Sequence, residues 1–534
     1  MDSALLSSLL GLRTGRSVET ADQVLERVSS TLAAVGEQWE PHSGRASVES
    51  FATLMAENKF WPSGRILNGA GSLSGNLSSC YVLDIPDTLD GALDAVRVAA
   101  LCQKAGGGTG FDLTSVRAEG APIQSSQARG ASGPVSWLPV MDSTTRMVMA
   151  GGKMRGANMA TLDIRHPDVL AFVRAKDGRL ASLATFSLSV CIDDGAMTQI
   201  EDGSSPQLNE VWSAIVDMIW QHGDPGILFT DAINRSNPLL AAVGPIRTTN
   251  PCGEQPMYPN ESTPLGSLNL AAFVTDGEFD MVAFEEAVKV AVVMLDNAIE
   301  VSNYPTEAIA RTSRNYRRLG LGVMGFADAL ISLGLPYDSP AGLRFIDRVG
   351  GRLEQVAHQA SAELACVRGR YPHASLAVGE ASRWRHCAVT AIAPTGTISM
   401  IAQCSPGIEP RYAAAWRKDV VQPGGILYVD SAEGDTDPAT SAIRYAHDIS
   451  PVWHVQVAAR WQNYIDNGVS KTVNVSENAT RESIEEALLS AWHQGAKGIT
   501  VYRDGSREKE LLSAVDVTHD DSQSRRYLSQ GLPV

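Results

Sequence analysis

Short apolar runs alternate with long amphipathic helical patterns over most of this 534-residue chain. Strand-like runs lie at residues 187–191 and 386–393, and helical patterns lie at 88–103, 210–220 and 284–301. Strands that alternate with helices are typical of α/β proteins. A chain of this length can bury a large core or divide into several domains. The alternation begins near Phe60, and from there onward an α/β architecture is predicted.

The sequence divides into three regions. Residues 1–60 place apolar side chains at helical spacing, which predicts a short helical N-terminal region. Residues 61–510 carry the alternating pattern and are expected to form the main domain. Residues 511–534 are polar, so we expect a C-terminal tail there.

Charge and cysteine usage exclude several classes of protein. Lys and Arg total 44 against 60 Asp and Glu, and the net charge of −16 repels nucleic-acid phosphates. No apolar run approaches the roughly 18 residues of a membrane helix, and the N-terminus lacks the basic segment of a signal peptide. The seven cysteines include no C-x-x-C pair, the spacing of many zinc and redox sites. We therefore expect a cytoplasmic protein with no nucleic-acid partner, no membrane partner and no bound metal ion.

A glycine-rich segment, KAGGGTGF, occupies residues 104–111. Glycines let the backbone come close to a ligand. The segment matches neither the Walker A loop nor the dinucleotide-binding fingerprint. A ligand-binding loop and a plain tight turn therefore both stay open.

A hydroxyl-rich turn, APTGTIS, follows a strand-like run at residues 393–399. A strand, such a turn and a helix start together offer free N–H groups and hydroxyls to a phosphate. The same Thr and Ser residues are also common N-caps of helices. Both interpretations stay open.

A third segment, TNPCGEQP, places a cysteine among proline and glycine at residues 249–256. Regular structure is excluded there, so Cys252 is expected at a loop tip. Asn250 and Glu254 flank it with an amide and a carboxylate, which suit hydroxyl groups. The alternative is a small buried cysteine with a packing role.

The three segments occur in this order in the large subunits of ribonucleotide reductases, and the chain resembles the adenosylcobalamin-dependent, class II type. The resemblance runs from about Phe60 to Glu508. Supporting motifs are NGAG at 68–71, SSC at 78–80, GKMRGANM at 152–159, SPGIEP at 405–410, SKTVN at 470–474 and KGITVYRDG at 497–505. The resemblance implies a ten-stranded α/β barrel with a finger loop through its centre.

The resemblance also implies roles for individual residues on a ribonucleoside di- or triphosphate. Cys252 would become a thiyl radical that abstracts the 3′-hydrogen, and Glu254 would be the general base at the 3′-hydroxyl. Asn250 would hold the ribose hydroxyls, and Cys80 would be a redox cysteine. Ser78 or Ser79 would help to bind phosphates at the turn formed by Pro394, Thr395, Gly396, Thr397, Ile398 and Ser399.

Adenosylcobalamin is the radical source that the resemblance implies. Diiron-dependent relatives relay the radical through two adjacent tyrosines, and the anaerobic type carries an Arg-x-x-Gly-Tyr motif; this sequence contains neither. A cobalamin-binding Asp-x-His-x-x-Gly motif is also absent. Reductases resemble one another in binding the corrin without that motif, so its absence does not argue against the cofactor.

The sequence departs from the family at the electron-supplying cysteines. Where relatives read Glu-Ser-Cys-Asn-Leu-Gly-Ser, residues 261–267 read ESTPLGS, so Thr263 takes the place of the second redox cysteine. A hydroxyl cannot form the disulfide that supplies two electrons. No cysteine follows Cys404, so the C-terminal cysteine pair of relatives is missing from this sequence too. Cys404 is an alternative partner for Cys80, but its position beside the Gly-Ile-Glu-Pro motif favours a packing role.

Three functions follow from this departure. The favoured one is a cobalamin-dependent radical enzyme with a redox-neutral outcome, either dehydration or an isomer such as an arabino-nucleotide, in unusual nucleoside biosynthesis. The second is ordinary ribonucleotide reduction with an external reductant such as a small thiol or formate. The third is an inactive nucleotide-binding paralogue, which the retention of Cys252, Asn250 and Glu254 disfavours.

An allosteric site at a dimer interface is also implied. Asp142, Lys153 and Arg155 match residues expected to bind a deoxynucleotide effector, whereas Met154 replaces a usual arginine. Monomers and homodimers both occur among relatives, so the oligomeric state stays open.

Overall fold

The computed structural model describes residues 19–40, 44–72, 75–123, 130–150, 156–177, 183–418, 426–429, 441–506 and 512–514. The helices there are α1 (Ala21–Gly36), α2 (Gly44–Ala56), α3 (Gly64–Gly69), α4 (Leu89–Lys104), α5 (Trp137–Ala150), α6 (Val169–Val173), α7 (Asp194–Glu201), α8 (Pro206–His222), α9 (Thr230–Arg235), α10 (Leu240–Val243), α11 (Met281–Val301), α12 (Glu307–Tyr316), α13 (Phe326–Ser332), α14 (Pro340–Arg368), α15 (Ile398–Ala402), α16 (Pro451–Gln462) and α17 (Arg481–His493). The strands there are β1 (Phe60–Pro62), β2 (Cys80–Leu83), β3 (Gly108–Asp112), β4 (Asn158–Asp163), β5 (Phe186–Ile192), β6 (Gly226–Phe229), β7 (Thr248–Thr249), β8 (Pro256–Met257), β9 (Glu261–Thr263), β10 (Leu265–Asn269), β11 (Val274–Thr275), β12 (Glu278–Phe279), β13 (Gly320–Met324), β14 (Ala415–Lys418), β15 (Ile426–Val429), β16 (Thr472–Val475), β17 (Gly498–Arg503) and β18 (Leu512–Ala514).

One half of the sheet consists of five neighbouring parallel strands, β2 to β6. Their side chains are almost all buried on both faces, as β4, β5 and β6 illustrate. Helices cover the outer face of such a parallel sheet, which explains the near-continuous apolar runs in the sequence.

The other half runs in the opposite direction. Strand β10 pairs in parallel with β13, an extended segment at 389–393 bridges β13 and the residues just before β16, and β16 pairs in parallel with β17. Two antiparallel seams, β6 with β17 and β2 with β9, join the halves. With β9 and β10 counted as one strand broken at Pro264, ten segments form a ring. The predicted ten-stranded α/β barrel is confirmed.

The N-terminal helices share a hydrophobic core with the barrel. Helix α1 begins with a capping box between Thr20 and Gln23, and its buried Val24 and Leu32 belong to the same core cluster as residues of α11 and α14. The Asn297 amide of α11 donates to the Leu32 carbonyl at 3.0 Å. Strand β1, at the predicted boundary, pairs with β10, and β18, at the start of the predicted tail, pairs with β14.

A hairpin of β7 and β8 enters the barrel and packs against β3. A Cβ atom on Gly110 would lie 1.9 Å from the Thr249 carbonyl oxygen, and one on Gly108 would lie 2.8 Å from the Pro251 ring. Both distances are shorter than non-bonded atoms tolerate. The glycine-rich segment therefore leaves room for the finger loop, a role that the sequence alternatives did not include.

Candidate active site

The finger loop is closed at its base by a side chain. The Asn250 carbonyl oxygen Oδ1 accepts hydrogen bonds from the Gln255 backbone N–H at 2.9 Å and from the Thr249 hydroxyl at 3.0 Å. Gly253 has a φ of 84°, a conformation that glycine adopts readily. This tight loop presents Cys252 at its tip with the thiol exposed, as the sequence predicts.

Three buried polar side chains meet behind the tip. The Asn250 amide Nδ2 donates to Cys80 Sγ at 3.0 Å, and the Cys80 thiol lies 3.7 Å from Glu254 Oε1. The other carboxylate oxygen, Glu254 Oε2, is buried and has no hydrogen-bond partner in the described part of the chain. An unpartnered carboxylate oxygen costs free energy, so it is a place where a substrate hydroxyl would be stabilising.

Burial sets the protonation states of Glu254 and Cys80. It raises the pKa of Glu254 to about 7, against which the Asn250 hydrogen bond acts. It also raises the pKa of Cys80, and the nearby Glu254 charge adds to that rise. The site therefore pairs a carboxylate that titrates near neutrality with a thiol that stays protonated, which is the arrangement of a general base beside a general acid.

Thr263 lies directly opposite Cys80. The two residues are partners in the antiparallel pair of β2 and β9, so their side chains project to the same face of the sheet. The Thr263 hydroxyl is fully buried and donates to the Arg318 carbonyl oxygen at 3.0 Å. The threonine thus occupies the position opposite the Cys80 thiol while its hydroxyl bonds to the backbone.

Cys404 packs in a different part of the molecule. It contacts the core cluster formed by the N-terminal helices, α11 and α14, whereas Cys80 belongs to a small cluster with Val82, Met257 and Ala393. The structure supports the packing interpretation of Cys404.

The two serines before Cys80 have different surroundings. The Ser78 hydroxyl is buried and lies 3.2 Å from the Ser262 hydroxyl, whereas the partly buried Ser79 hydroxyl donates to Ser63 at 3.2 Å. Only Ser79 retains contact with solvent at its side of the strand. We therefore consider Ser79 the better placed of the two for a ligand.

The hydroxyl-rich turn is held by its first threonine. Thr395 has a φ of 53°, and its hydroxyl accepts a hydrogen bond from the Gly407 N–H at 2.7 Å. Thr397 occupies the N-cap position of α15, but its side chain does not make the capping hydrogen bond. Gly396 and Thr397 are partly exposed, and Pro394 lines the same cavity as Cys252. The helix-capping alternative therefore loses its main support.

A cavity of about 470 Å³ lies in front of the Cys252 thiol. Strands β5, β6 and β17 form one wall, and the finger loop forms another. A Cβ atom on Gly253 would meet no other atom within 4 Å, so the space beside the thiol is open. Volumes of about 300–1,000 Å³ are usual for small-molecule sites.

The cavity wall also contains an ion pair that the sequence analysis did not identify. Lys471 Nζ lies 2.5 Å from Glu409 Oε2 and 2.9 Å from His454 Nδ1, and the Thr472 N–H donates to Glu409 Oε1 at 2.8 Å. This pair connects the SPGIEP and SKTVN segments, which the sequence analysis used only as family markers. The occurrence of both segments in one sequence was the signal that could have indicated this ion pair.

The predicted effector residues are only partly described. Asp142 on α5 is buried, accepts hydrogen bonds from the Thr185 N–H and hydroxyl at 3.1 and 2.7 Å, and pairs with Arg146 at 2.6 Å. Both of its carboxylate oxygens therefore have partners within the chain. Lys153 and Arg155 lie outside the described residues.

The described residues contain no group of three or more His, Cys, Asp or Glu side chains arranged to hold a metal ion. None of the described helices is long and apolar enough to cross a membrane.

The barrel holds a cysteine at its centre, beside a second thiol and a carboxylate whose pKa is about 7. This arrangement is that of a barrel enzyme of the ribonucleotide reductase type. The family model "Ribonucleotide reductase, barrel domain" matches residues 78–210, 204–384 and 375–502. The chain belongs to the ribonucleotide reductase family, in its vitamin B12-dependent branch.

Relatives and a solved structure agree with this assignment. A vitamin B12-dependent ribonucleoside-diphosphate reductase of Mycobacterium tuberculosis is 37% identical over 95% of this chain and 79% of its own length. One of Thermoplasma acidophilum is 37% identical over 88% of this chain and 66% of its own length. The class Id ribonucleotide reductase alpha subunit of Actinobacillus ureae has the same fold, with a TM-score of 0.77 at 21% identity, over 92% of this chain and 95% of that one.

Proposed function

We propose that this chain is an adenosylcobalamin-dependent radical enzyme that acts on the ribose of a ribonucleotide, and that its product is not a deoxyribonucleotide. The observation that carries the proposal is an intact Asn250–Cys252–Glu254 loop combined with Thr263 opposite Cys80. Relatives at 37% identity are named ribonucleoside-diphosphate reductases, which favours a diphosphate over a triphosphate substrate.

The residues in front of Cys252 fit the adenosyl end of the cofactor. The thiol is exposed there, the space beside Gly253 is open, and Ser187, Gly226 and Thr500 on three strands line the opposite wall. These strand residues would hold the adenosyl group. When bound, the cofactor supplies a carbon-centred radical that removes the hydrogen atom of a thiol.

The side chains around the thiol suit the first chemical steps. Cys252, as a thiyl radical, takes the hydrogen atom from C3′ while Glu254 takes the proton of the 3′-hydroxyl. Cys80 donates a proton to the 2′-hydroxyl, which leaves as water, and Glu254, 3.7 Å away, returns a proton to Cys80. Asn250 orients the Cys80 thiol for this transfer.

Because Cys80 has no second thiol opposite it on the strand pair, the reaction ends without net reduction of the nucleotide. The 3′-keto radical at C2′ takes a hydrogen atom back from Cys252, which regenerates the thiyl radical. The sum is the nucleotide minus one water, with no external electrons. If Cys252 returns the hydrogen atom before water is lost, the substrate is regenerated; an isomer of the substrate forms only if the hydrogen atom reaches the opposite face of C3′. Either product suits a pathway to an unusual nucleoside.

A second candidate is true reduction with an external donor. It is favoured by the retention of the Cys80 thiol and by the names of the relatives. Each water released then requires two electrons and two protons. A dithiol supplies all of these, whereas formate supplies the two electrons and one proton, and solvent supplies the other proton. An inactive nucleotide-binding paralogue is disfavoured, because it has no use for a carboxylate poised near neutrality beside a protonated thiol.

The substrate phosphates are assigned to the 394–399 turn, with Ser79 nearby. The support is the partial exposure of Gly396 and Thr397 and the position of Pro394 in the wall of the cavity that contains Cys252. N–H groups at such a turn bind phosphate oxygens.

We also propose that the chain forms a homodimer through α4 and α5, with the deoxynucleotide effector bound near it. These two helices pack together and expose a set of large apolar side chains: Leu89, Leu93, Leu101, Val140 and Met147. Sedimentation of the wild-type chain and of Leu93→Asp tests the dimer, and a monomeric wild type would exclude it.

Product analysis tests the function. The full chain is incubated anaerobically with adenosylcobalamin and each ribonucleoside di- or triphosphate, with and without dithiol, and products are identified by mass spectrometry and NMR. We expect a product that has lost water and sheds its base, or one of unchanged mass and altered configuration. A product lighter by one oxygen, formed at stoichiometric yield with dithiol, would overturn the redox-neutral proposal in favour of reduction.

A further inference from the structure

The connection between α16 and β16 bends at residues 466–468, and this bend lies against the finger loop. The Gly468 N–H donates to the Glu254 carbonyl oxygen at 2.8 Å. A Cβ atom on Gly468 would lie 2.6 Å from the Gly253 carbonyl oxygen and 3.1 Å from Glu254 Cα. The backbone of the bend is therefore in direct contact with the part of the loop that carries the proposed general base.

The side chain of Asn467 fixes the middle of the bend to the barrel. Its Nδ2 donates to the Leu319 and Thr390 carbonyl oxygens at 3.0 and 2.8 Å, and its Oδ1 accepts from Arg318 Nη1 at 2.7 Å. The residue is buried, and its amide is bonded at both the nitrogen and the oxygen. A buried polar group that is satisfied in this way holds a single orientation. The bend is therefore attached to the start of β13 and to the 389–393 segment.

Two charged side chains hold the bend from other directions. The Asp466 carboxylate accepts the Thr390 N–H at 3.1 Å and lies 2.8 Å from His358 Nε2 of α14. Lys497, just before β17, donates from Nζ to the carbonyl oxygens of Asp466 and Asn467 at 2.5 and 2.7 Å. The bend is therefore also attached to α14 and to the start of β17.

Arg318 connects the same bend to the β2–β9 strand pair. Its Nε donates to Glu261 Oε1 of β9 at 2.6 Å, and its carbonyl oxygen accepts the Thr263 hydroxyl at 3.0 Å. Cys80, the strand partner of Thr263, lies 3.7 Å from Glu254 Oε1. The contacts therefore form a closed ring, which runs from Glu254 through the bend and Arg318 to β9, across to β2 and back to Glu254.

We propose that the 466–468 bend positions the finger loop for catalysis: it sets the distance between Glu254 and Cys80, and Gly468 and Lys497 are positioning residues. The inference rests on the proposed function, in which these two groups exchange a proton. A side chain at position 468 would lengthen the contact with the Gly253 carbonyl oxygen from 2.6 Å to about 3.3 Å, an ordinary carbon–oxygen distance. The loop would then move by about 0.7 Å, enough to impair a reaction that depends on precise placement.

Gly468→Ala tests the proposal, and Gly342→Ala is the matched control. A Cβ atom on Gly342 would also meet a backbone carbonyl, that of Pro336 at 3.0 Å, but its nearest neighbours all lie within residues 336–339. Hydrogen–deuterium exchange of residues 249–257, measured by mass spectrometry on the full chain without cofactor or nucleotide, shows how firmly the finger loop is held. We expect exchange there to be about tenfold faster in Gly468→Ala and unchanged in Gly342→Ala.

Turnover is the second readout, and it alone depends on the proposed function. In Gly468→Ala, kcat should fall by about 10–10²-fold, because the acid and base are misplaced. KM should stay within about twofold of the wild-type value, because the 394–399 turn is not displaced. If the wild-type chain forms no product, the proposed function fails, whereas the exchange measurement still decides whether the bend holds the loop.

Lys497→Met decides the case in which Gly468→Ala does not fold. It removes a donor to the bend without adding volume, and the two carbonyl oxygens that lose this donor each keep another one. Exchange of residues 249–257 should be about threefold faster in this variant, with circular dichroism as the control for folding. If the folded variants exchange like the wild type, or if Gly342→Ala changes the exchange as much as they do, the bend does not position the loop and the proposal is wrong.

Discussion

The finger loop and the β2–β9 strand pair meet around Cys80, but they match the family pattern to different degrees. The loop keeps Asn250, Cys252 and Glu254 in a closed, hydrogen-bonded arrangement. The strand pair keeps its register and its Cys80 thiol, yet Thr263 has replaced the second thiol. The Thr263 hydroxyl bonds to a backbone carbonyl, so the substitution is accommodated without a change of fold. Under the proposed function, radical formation and electron supply would therefore be separable, and only the second would be altered.

The largest effect on turnover is expected from removing the Cys252 thiol. Cys252→Ser should abolish product formation, by on the order of 10³-fold or more, because a hydroxyl is a far poorer source of a radical than a thiol. Turnover is measured by product chromatography, with circular dichroism as the control for folding. Activity within tenfold of the wild type would mean that Cys252 does not carry the radical, and the comparison of the two regions would fail.

Glu254→Gln should lower turnover by about 10²–10⁴-fold, since an amide cannot accept the 3′-hydroxyl proton. It should also stabilise the fold. The folded-state pKa of about 7 lies above the ordinary value of 4.5, so the ionised carboxylate opposes folding above pH 7 by about 3 kcal/mol. Urea unfolding at pH 8 measures this gain. A destabilised variant would show that the carboxylate has partners that we have not identified.

The pH dependence of turnover also tests Glu254 as the general base. Glu254 must be ionised to act as a base, so turnover should rise about tenfold between pH 6 and pH 8, with a midpoint near 7. Cys80 keeps its proton across this range, because its pKa is raised. Residual turnover of Glu254→Gln should lack this dependence. A flat wild-type profile would exclude Glu254 as the base.

The sequence was a good guide where a motif fixed a position and a poor one where distant segments meet. The family resemblance carried by the three segments predicted the barrel and the finger loop, and it predicted that Thr263 takes the place of the second redox cysteine. The packing of Gly110 against Thr249 was not predicted, because about 140 residues separate them and glycine alone does not indicate what approaches it. The Lys471–Glu409 pair was missed for the same reason. The 394–399 turn was ambiguous, because N-caps and phosphate sites use the same residue types.

The smallest expected effect, and the most direct on the comparison, comes from restoring the second thiol. Thr263→Cys places a cysteine at the antiparallel partner of Cys80, where Cα atoms lie about 4.5–5.5 Å apart, within the range that disulfides span. With dithiol as electron donor, a deoxynucleotide should appear as a minor product that the wild-type chain does not form, because the restored thiol pair can supply two electrons. The lost hydrogen bond to the Arg318 carbonyl should cost about 1 kcal/mol in urea unfolding.

Thr263→Ser is the matched control, since it keeps the hydroxyl and adds no thiol. Thiol titration before and after oxidation shows whether the disulfide between positions 80 and 263 forms. If the disulfide forms and the products stay the same, the missing thiol is not what sets the outcome. The product would then be determined by how the finger loop holds the substrate. The distinction between a loop that forms the radical and a strand pair that supplies electrons would be wrong.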